Sequence, residues 1–166
     1  MPNLSLVSGK GSAVQHEIRQ SKPFASKGQE GVVGLLRTAD LLRRSLLKVV
    51  APHGLTLQQY NVLRILRGAG DAGLPTLEIA GRMIEQAPGI TRLLDRLEAK
   101  KLVRRKRCPS DRRQVLARIN PPGLELLERL EEPIRVADSA LLGRLPRRRL
   151  EMLIELLDDV RTAAMA

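Results

Sequence analysis

Positive charge is concentrated in one short stretch of this chain. Residues 100–113 contain eight Lys and Arg side chains and a single acid, Asp111. The whole chain of 166 residues has a net charge of +11, whereas residues 121–166 contain seven basic and nine acidic side chains. A basic stripe on a chain of otherwise mixed charge predicts a polyanionic partner. The alternative interpretation is a solvated basic face that has no partner.

The other chemically reactive residues do not suggest catalysis. Cys108 is the only cysteine, and His16 and His53 are the only histidines. A single cysteine excludes an intramolecular disulfide and a zinc site built from several cysteines of one chain. The glycines within residues 9–12 lack the spacing of a phosphate-binding loop. We therefore expect no enzymatic activity, no metal site and no cofactor.

Composition predicts one globular, cytoplasmic protein. Hydrophobic residues make up 43% of the chain and charged residues 28%, both ordinary for a soluble protein. No apolar run approaches the roughly 20 residues that a membrane-spanning helix needs. The N-terminus also lacks the basic and apolar regions of a secretory signal. We therefore expect no contact with a membrane.

Two short helices are predicted just before the basic stretch. Pro75 opens the first, and a turn over residues 86–89 separates it from the second. In the second helix, leucines recur at helical spacing on one face, while Thr91, Arg92 and Arg96 lie on the other. Two short helices joined by a tight turn, the second with a cationic outer face, predict a helix-turn-helix.

The basic stretch itself is predicted to form a β-hairpin. Residues 102–108 and 114–119 alternate like strands, and the Pro109–Asp111 sequence between them is typical of a turn. A hairpin directly after a helix-turn-helix is called a wing. The predicted fold class is therefore mainly α with a small β-hairpin wing.

The flanking segments complete the predicted organisation. Residues 1–29 show no sustained period and are interpreted as a flexible N-terminal arm. Residues 55–119 form the winged helix-turn-helix domain, with Thr56 as the N-cap of its first helix. Residues 30–54 and 120–166 are helical. The leucines from residue 127 to 141 form a narrow seam, which we interpret as a dimer contact rather than a cofactor site.

Three stretches of the chain resemble the MarR family of bacterial transcription regulators. They are LTLQQYNVLRILRGAG, TRLLDRLEAKKLVRRKRCPSDRR and LEMLIELLDDV, and the resemblance covers about residues 31–162. It implies a homodimer in which residues 30–54 and 120–166 form the dimerisation region. It also implies a repressor whose recognition helices enter the major groove of a palindromic operator in double-stranded DNA. Many members release DNA when a small-molecule effector binds.

The resemblance also implies roles for individual residues. In the wing, Arg113 would enter the minor groove, Asp111 would hold an arginine of the hairpin, and Arg112 would touch phosphate. The alternative for Asp111 is a residue that only forms the turn after Pro109. In the recognition helix, Arg92 would pair with guanine or contact phosphate. The expected DNA-binding residues are Gln86, Pro88, Gly89, Thr91, Arg92, Arg96, Arg107, Asp111, Arg112 and Arg113.

The sequence departs from the family pattern at three places. Pro88 and Gly89 stand where hydroxyl residues usually begin the recognition helix, and Lys101 stands where a glycine in the left-handed conformation usually follows it. The chain has one Tyr and one Phe, which disfavours a ligand pocket with aromatic walls. His53 and Tyr60 are the candidates for effector contact. The alternative for His53 is a charge at a helix C-terminus, and the alternative for Tyr60 is a core residue.

Two other functions remain open from the sequence. A sequence-tolerant architectural protein would bind nucleic acid through phosphate neutralisation by residues 100–113. A protein-interaction adaptor would retain the fold without binding DNA. Cys108 lies beside Arg107, which would favour its thiolate form, but we interpret it as a small strand residue rather than an oxidant sensor.

Overall fold

The computed structural model describes residues 12–85, 89–107 and 114–165. This part of the chain is mostly helical and contains a small antiparallel sheet, which confirms the predicted fold class. The helices are α1 (Ala13–Glu17), α2 (Lys27–Val50), α3 (Leu57–Ala69), α4 (Thr76–Gly81), α5 (Ile90–Ala99), α6 (Pro121–Leu142) and α7 (Arg147–Met165). The strands are β1 (Leu74–Pro75), β2 (Val103–Arg107) and β3 (Val115–Ile119). Among the described residues, no helix is both long enough and apolar enough to cross a membrane.

The chain divides into two compact units, residues 1–44 and residues 45–166. In the first unit, α2 begins at Lys27. The helical pattern in the sequence begins only at Gly31, four residues later. The Ser26 hydroxyl explains this early start, because its Oγ accepts a hydrogen bond from the Gln29 N–H at 3.1 Å. A serine three residues before a glutamine is a helix N-cap signal. The short α1 and the first residues of α2 thus lie within the segment interpreted as an arm.

The core of the second unit lies between α3, α5, the sheet and the first half of α6. Thr56 caps α3 as expected, and a reciprocal bond between the Gln59 side chain and the Thr56 N–H completes a capping box. The largest fully buried side chains of the core are Val50, Val62, Leu63, Leu66, Ile79, Leu94, Leu97, Val103, Leu127 and Leu130. The core therefore joins both helices of the helix-turn-helix to the base of the wing.

Two members of the expected leucine seam belong to this core. Leu127 and Leu130 are 2% and 0% exposed within the single chain. Their interpretation as dimer contacts is therefore wrong, because they pack against residues of their own chain. Apolar spacing of three and four residues is shared by dimer seams and by amphipathic core helices, so the spacing could not distinguish the two.

The sheet has the strand order β1-β3-β2 and is antiparallel throughout. The expected hairpin pairs Val103 with Ile119 at its base and Arg107 with Val115 nearest its tip. The additional strand β1 pairs Leu74 with Ala117. A strand of two residues has no readable period, and its proline is tolerated because the strand lies at the sheet edge.

The helix α6 starts in close contact with the base of the wing. The Asn120 N–H donates to the Leu102 carbonyl oxygen at 2.9 Å, and the Asn120 side-chain amide donates to the Lys101 carbonyl oxygen at 3.1 Å. A Cβ atom on Gly123 would lie 2.5 Å from the Leu102 oxygen and 2.7 Å from Cγ1 of Ile119. Glycine at this position therefore permits the close packing of α6 on the wing.

The end of α5 is a Schellman motif built on a lysine. The Lys101 N–H donates to the Glu98 carbonyl oxygen at 2.8 Å, and the Leu102 N–H donates to the Leu97 carbonyl oxygen at 3.0 Å. Lys101 has a φ of 60°, the left-handed conformation expected there from the family pattern. A residue with a Cβ atom is strained in this conformation.

We expect Lys101→Gly to raise the free energy of unfolding by about 1 kcal/mol, since glycine adopts a positive φ without steric cost. Urea unfolding followed by circular dichroism measures the change. The matched control is Lys100→Gly, one residue earlier, where φ is −83°. That substitution should lower stability. A Lys101→Gly protein no more stable than the original would contradict strain at residue 101.

Candidate nucleic-acid interface

The recognition helix α5 has one buried and one exposed face. Leu94 and Leu97 are fully buried in the core, and Leu93 is nearly so. Thr91, Arg92 and Arg96 are exposed on the other side of the helix. The structure thus brings together three of the expected DNA-binding residues on one solvent-facing surface. Arg92 and Arg96 are one helical turn apart, which places their guanidinium groups on the same face.

The start of α5 is formed by a glycine in the left-handed region. Gly89 has a φ of 90° and occupies the N-cap position without a side-chain cap. The first backbone N–H groups of α5 consequently have no side-chain acceptor at the N-cap. Gln86 and Pro88, which were also expected to contact DNA, lie outside the described residues.

Asn61 on α3 fixes the chain just after α4. Its Oδ1 atom accepts a hydrogen bond from the Ile84 N–H at 2.9 Å. This bond holds the segment that leads into the turn of the helix-turn-helix. The contact spans 23 positions along the chain, so it had no signal in local spacing.

The cations of β2 differ in their exposure to solvent. Arg104, Lys106 and Arg107 are exposed, whereas the Arg105 side chain is only 24% exposed. Arg107 ends the strand on the side of the wing tip, and its contact with DNA stays a prediction. Asp111, Arg112 and Arg113, together with Cys108, lie outside the described residues. Their roles at the wing tip stay predictions.

Arg105 forms an ion cluster with two acids of the recognition helix. Its Nε and Nη2 atoms donate to Oε2 of Glu98 at 2.9 and 2.6 Å, and its backbone N–H donates to Oε1 of Glu98 at 2.9 Å. Nη2 also lies 2.6 Å from Oδ1 of Asp95. We call these three residues the helix–wing cluster, because they join α5 to β2.

The cluster favours the charged forms of Glu98 and Arg105. The hydrogen bonds from Arg105 lower the pKa of Glu98 below its ordinary value. The hydrogen bond with Glu98, reinforced by that with Asp95, raises the pKa of Arg105. One cation of the basic stretch is therefore compensated inside the protein and is not offered to a polyanion. Asp95 lies on the exposed side of α5, and its partner is on another element, so helical spacing alone could not identify it.

The two candidates for effector contact lie in different settings. Tyr60 packs against the core, and the guanidinium carbon of Arg64 lies 5.9 Å from the centre of its ring. His53 is exposed at the end of a short 3-10 helix, Ala51–His53. Beside it, the Lys100 ammonium donates a hydrogen bond to the Gly54 carbonyl oxygen. These settings agree with a core tyrosine and a helix-terminal histidine, and contact with an effector stays a prediction.

Comparison with known proteins identifies one family. The model of the MarR family matches residues 55–115. The chain is 31% identical to the HTH-type transcriptional regulator MhqR of Bacillus subtilis over 113 residues, which cover 68% of this chain and 77% of that protein.

Solved structures agree with this family match. The crystal structure of a MarR transcription factor from Planctomyces limnophilus has 41% identity and a TM-score of 0.64, covering 81% of this chain and 98% of that one. BpsR of Bordetella bronchiseptica was solved in work on the regulation of its DNA binding by 6-hydroxynicotinic acid. It has 25% identity and a TM-score of 0.72, with coverage of 84% and 98%.

The helix–wing cluster predicts a loss of stability in acid. The folded-state pKa of Glu98 is lowered from 4.5, so its contribution is complete above that value and disappears as pH falls through the lower, folded-state pKa. We expect Glu98→Gln to destabilise the protein at neutral pH and to differ less from the original below about pH 4.

Urea unfolding at a series of pH values between about 3 and 7 measures this difference. Glu155→Gln, on the exposed surface of α7, is the matched control and should have little effect. A Glu98→Gln protein that is as stable as the original at pH 7 would contradict a stabilising role for the cluster.

Proposed function

The chain belongs to the MarR family, and on that premise we propose that it is a homodimeric repressor that binds a palindromic operator and leaves it when a small-molecule effector binds. The general function follows from the family: the protein is a DNA-binding transcription regulator and not an enzyme. Such a regulator acts in the bacterial cytoplasm, associated with the nucleoid while it is bound to DNA.

The observation that carries this proposal is the two-faced recognition helix α5. Its buried leucines anchor it to the core, and its exposed face presents Thr91, Arg92 and Arg96. An arginine guanidinium can donate two parallel hydrogen bonds to O6 and N7 of guanine in the major groove. Lys106 and Arg107, which are exposed on β2, are suited to contacts with phosphate, which position a protein on DNA without reading its sequence.

Exposed apolar side chains support the dimer. Large hydrophobic residues of two long helices are about half exposed or more: Val32, Leu36, Leu41 and Leu47 on α2, and Met152, Ile154, Leu156, Val160 and Met165 on α7. A monomer would leave the apolar side chains of each of these helices in contact with water, and exposed apolar side chains that form a patch mark sites of protein–protein contact. A second copy of the chain is the occupant that the family resemblance implies.

Regulation by a small molecule is supported by a relative. The DNA binding of BpsR is regulated by 6-hydroxynicotinic acid, and we extend effector control, but not that compound, to this chain. His53 and Tyr60 are the residues to test first. Repression rather than activation is what the family resemblance favours.

A sequence-tolerant architectural protein is the second candidate. The observation that favours it is Gly89, which starts α5 without a hydroxyl group that could contact a base. Binding would then depend mainly on phosphate neutralisation, with similar affinity for all sequences and a steep dependence on salt.

Affinity selection of genomic fragments on the purified protein at about 150 mM salt distinguishes the two candidates. Enrichment of a few fragments that share a palindrome supports the specific regulator, and the neighbouring genes then suggest the effector. Tight binding with a flat profile supports the architectural protein. No recovery of DNA contradicts both candidates and favours the adaptor.

On the selected operator, Arg92→Ala and Lys106→Ala should have different effects. Arg92→Ala should lower affinity by about 1–3 kcal/mol and relax the preference at one base pair, because a bidentate contact is lost. Lys106→Ala should weaken binding to all sequences alike and reduce the salt slope by about 1. Fluorescence anisotropy with operator and scrambled duplexes measures both. Equal losses on the two duplexes for Arg92→Ala would remove it from base reading.

At the wing tip, Arg113→Ala should lower operator affinity by about 1–3 kcal/mol if the side chain enters the minor groove. The effect should be greatest on operators with A·T base pairs beneath the wing, where the narrow groove concentrates negative potential. The same anisotropy titration applies. A loss below about 0.5 kcal/mol would exclude Arg113 from this role.

A further inference from the structure

A second group of cations lies at the far end of α6 from the wing. The helix begins at Pro121, beside the base of the wing, and its 22 residues end at Leu142, about 33 Å away along the helix axis. The connection to α7 and the first turn of α7 then contain four exposed arginines, which we call the distal basic patch: Arg144, Arg147, Arg148 and Arg149.

Most of the charge of the distal basic patch is uncompensated. Arg147 pairs with Glu151, with Nε 2.8 Å from Oε1. Within residues 12–85, 89–107 and 114–165, the structure gives the side chains of Arg144, Arg148 and Arg149 no hydrogen bond or ion pair. By contrast, two other exposed arginines of the same helices are neutralised by their neighbours: Arg135 pairs with Glu132 and Arg161 with Asp158.

The position of these cations is electrostatically unfavourable for the fold. The first turn of α7 contains no acidic residue, although the helix dipole makes this end positive and favours acids there. Residues 121–166 otherwise have a surplus of acids, so the arginines are concentrated rather than scattered. Residues that break a local stability rule without a compensating contact often mark a functional surface.

We propose that the distal basic patch binds the phosphate backbone of a second DNA segment while the winged helix-turn-helix occupies the operator. The inference rests on the proposed function, because the operator-bound state is its starting point. Planar guanidinium groups form strong paired hydrogen bonds with phosphate. The length of α6 separates the two surfaces, so both can be occupied at once.

The chemistry of the patch favours DNA over a lipid surface. A helix that binds membranes inserts an exposed apolar face between the headgroups. Along residues 143–149 the exposed side chains are the four arginines and Pro146, and Leu145 is half buried. The exposed apolar side chains that follow on α7, from Met152 onward, are those assigned above to the contact with a second copy of the chain. Binding at the patch is expected to be independent of DNA sequence and sensitive to salt, since it would contact phosphate only.

The test uses the full-length protein with its operator already bound. Unlabelled operator duplex saturates the winged domains, and a fluorescent duplex of unrelated sequence is then titrated and followed by anisotropy. The original protein should bind the second duplex, with an affinity that falls steeply as salt is raised. The variant R144A/R148A/R149A should bind it about tenfold more weakly or worse, with a salt slope smaller by about 2–3.

The matched control R129A/R135A/R161A removes the same number of positive charges from α6 and α7 outside the patch. It should bind the second duplex like the original protein. Operator affinity should be unchanged in the patch variant and its midpoint of thermal unfolding should be equal or higher, since unfavourable cations are removed from the start of α7. These two results separate loss of a contact from loss of structure.

Two results would overturn the inference while leaving the proposed function intact. One is an operator complex that does not bind the second duplex. The other is a patch variant that binds the second duplex as tightly as the control variant does. Binding to phosphatidylglycerol vesicles without binding to the second duplex would also overturn it, in favour of a lipid surface. Failure of the original protein to bind any operator would contradict the proposed function and this inference with it.

Discussion

The backbone of Leu102 is the point on which the DNA-binding unit depends. Its N–H closes the end of α5 on the Leu97 carbonyl, and its carbonyl oxygen accepts the N–H of Asn120 at the start of α6. The same oxygen lies so close to α6 that only glycine fits at residue 123. The recognition helix, the first strand of the wing and the helix that leads away from them therefore meet at one residue. A displacement of Leu102 would break both the hydrogen bond to the end of α5 and the hydrogen bond from the start of α6.

The helix–wing cluster is a second connection between α5 and β2. It also shows that the cations of the basic stretch do not all have the same role. Arg105 lies among exposed cations, yet its charge is compensated by Glu98 and Asp95 on the recognition helix. Hydrogen bonds between charged groups are stronger than neutral ones and more demanding in geometry. One cation of the run therefore sets the relative position of helix and wing, while its exposed neighbours Arg104, Lys106 and Arg107 supply the outward positive field.

Local signals in the sequence predicted most of this unit, and contacts between distant residues were the ones missed. The cap at Thr56, the left-handed Lys101 and the hairpin between residues 102 and 119 each depend on neighbouring residues. The bond from Ile84 to Asn61 and the partners of Arg105 depend on how elements pack. Residue types on α5 predicted which side chains face solvent, because burial of its leucines determines the face. The spacing of Leu127 and Leu130 could not reveal whether their partner was the same chain or another.

The two edges of the small sheet have a consequence for the behaviour of the protein at high concentration. Exposed strand edges are templates for aggregation, because their free backbone groups can pair with another molecule. On one edge, β1 has two residues, and Pro75 has no N–H to offer an incoming strand. On the other edge, β2 carries Arg104, Lys106 and Arg107, whose mutual repulsion opposes the stacking of like strands. The cations of β2 and the proline of β1 thus disfavour polymerisation of crowded copies through the edges of the sheet.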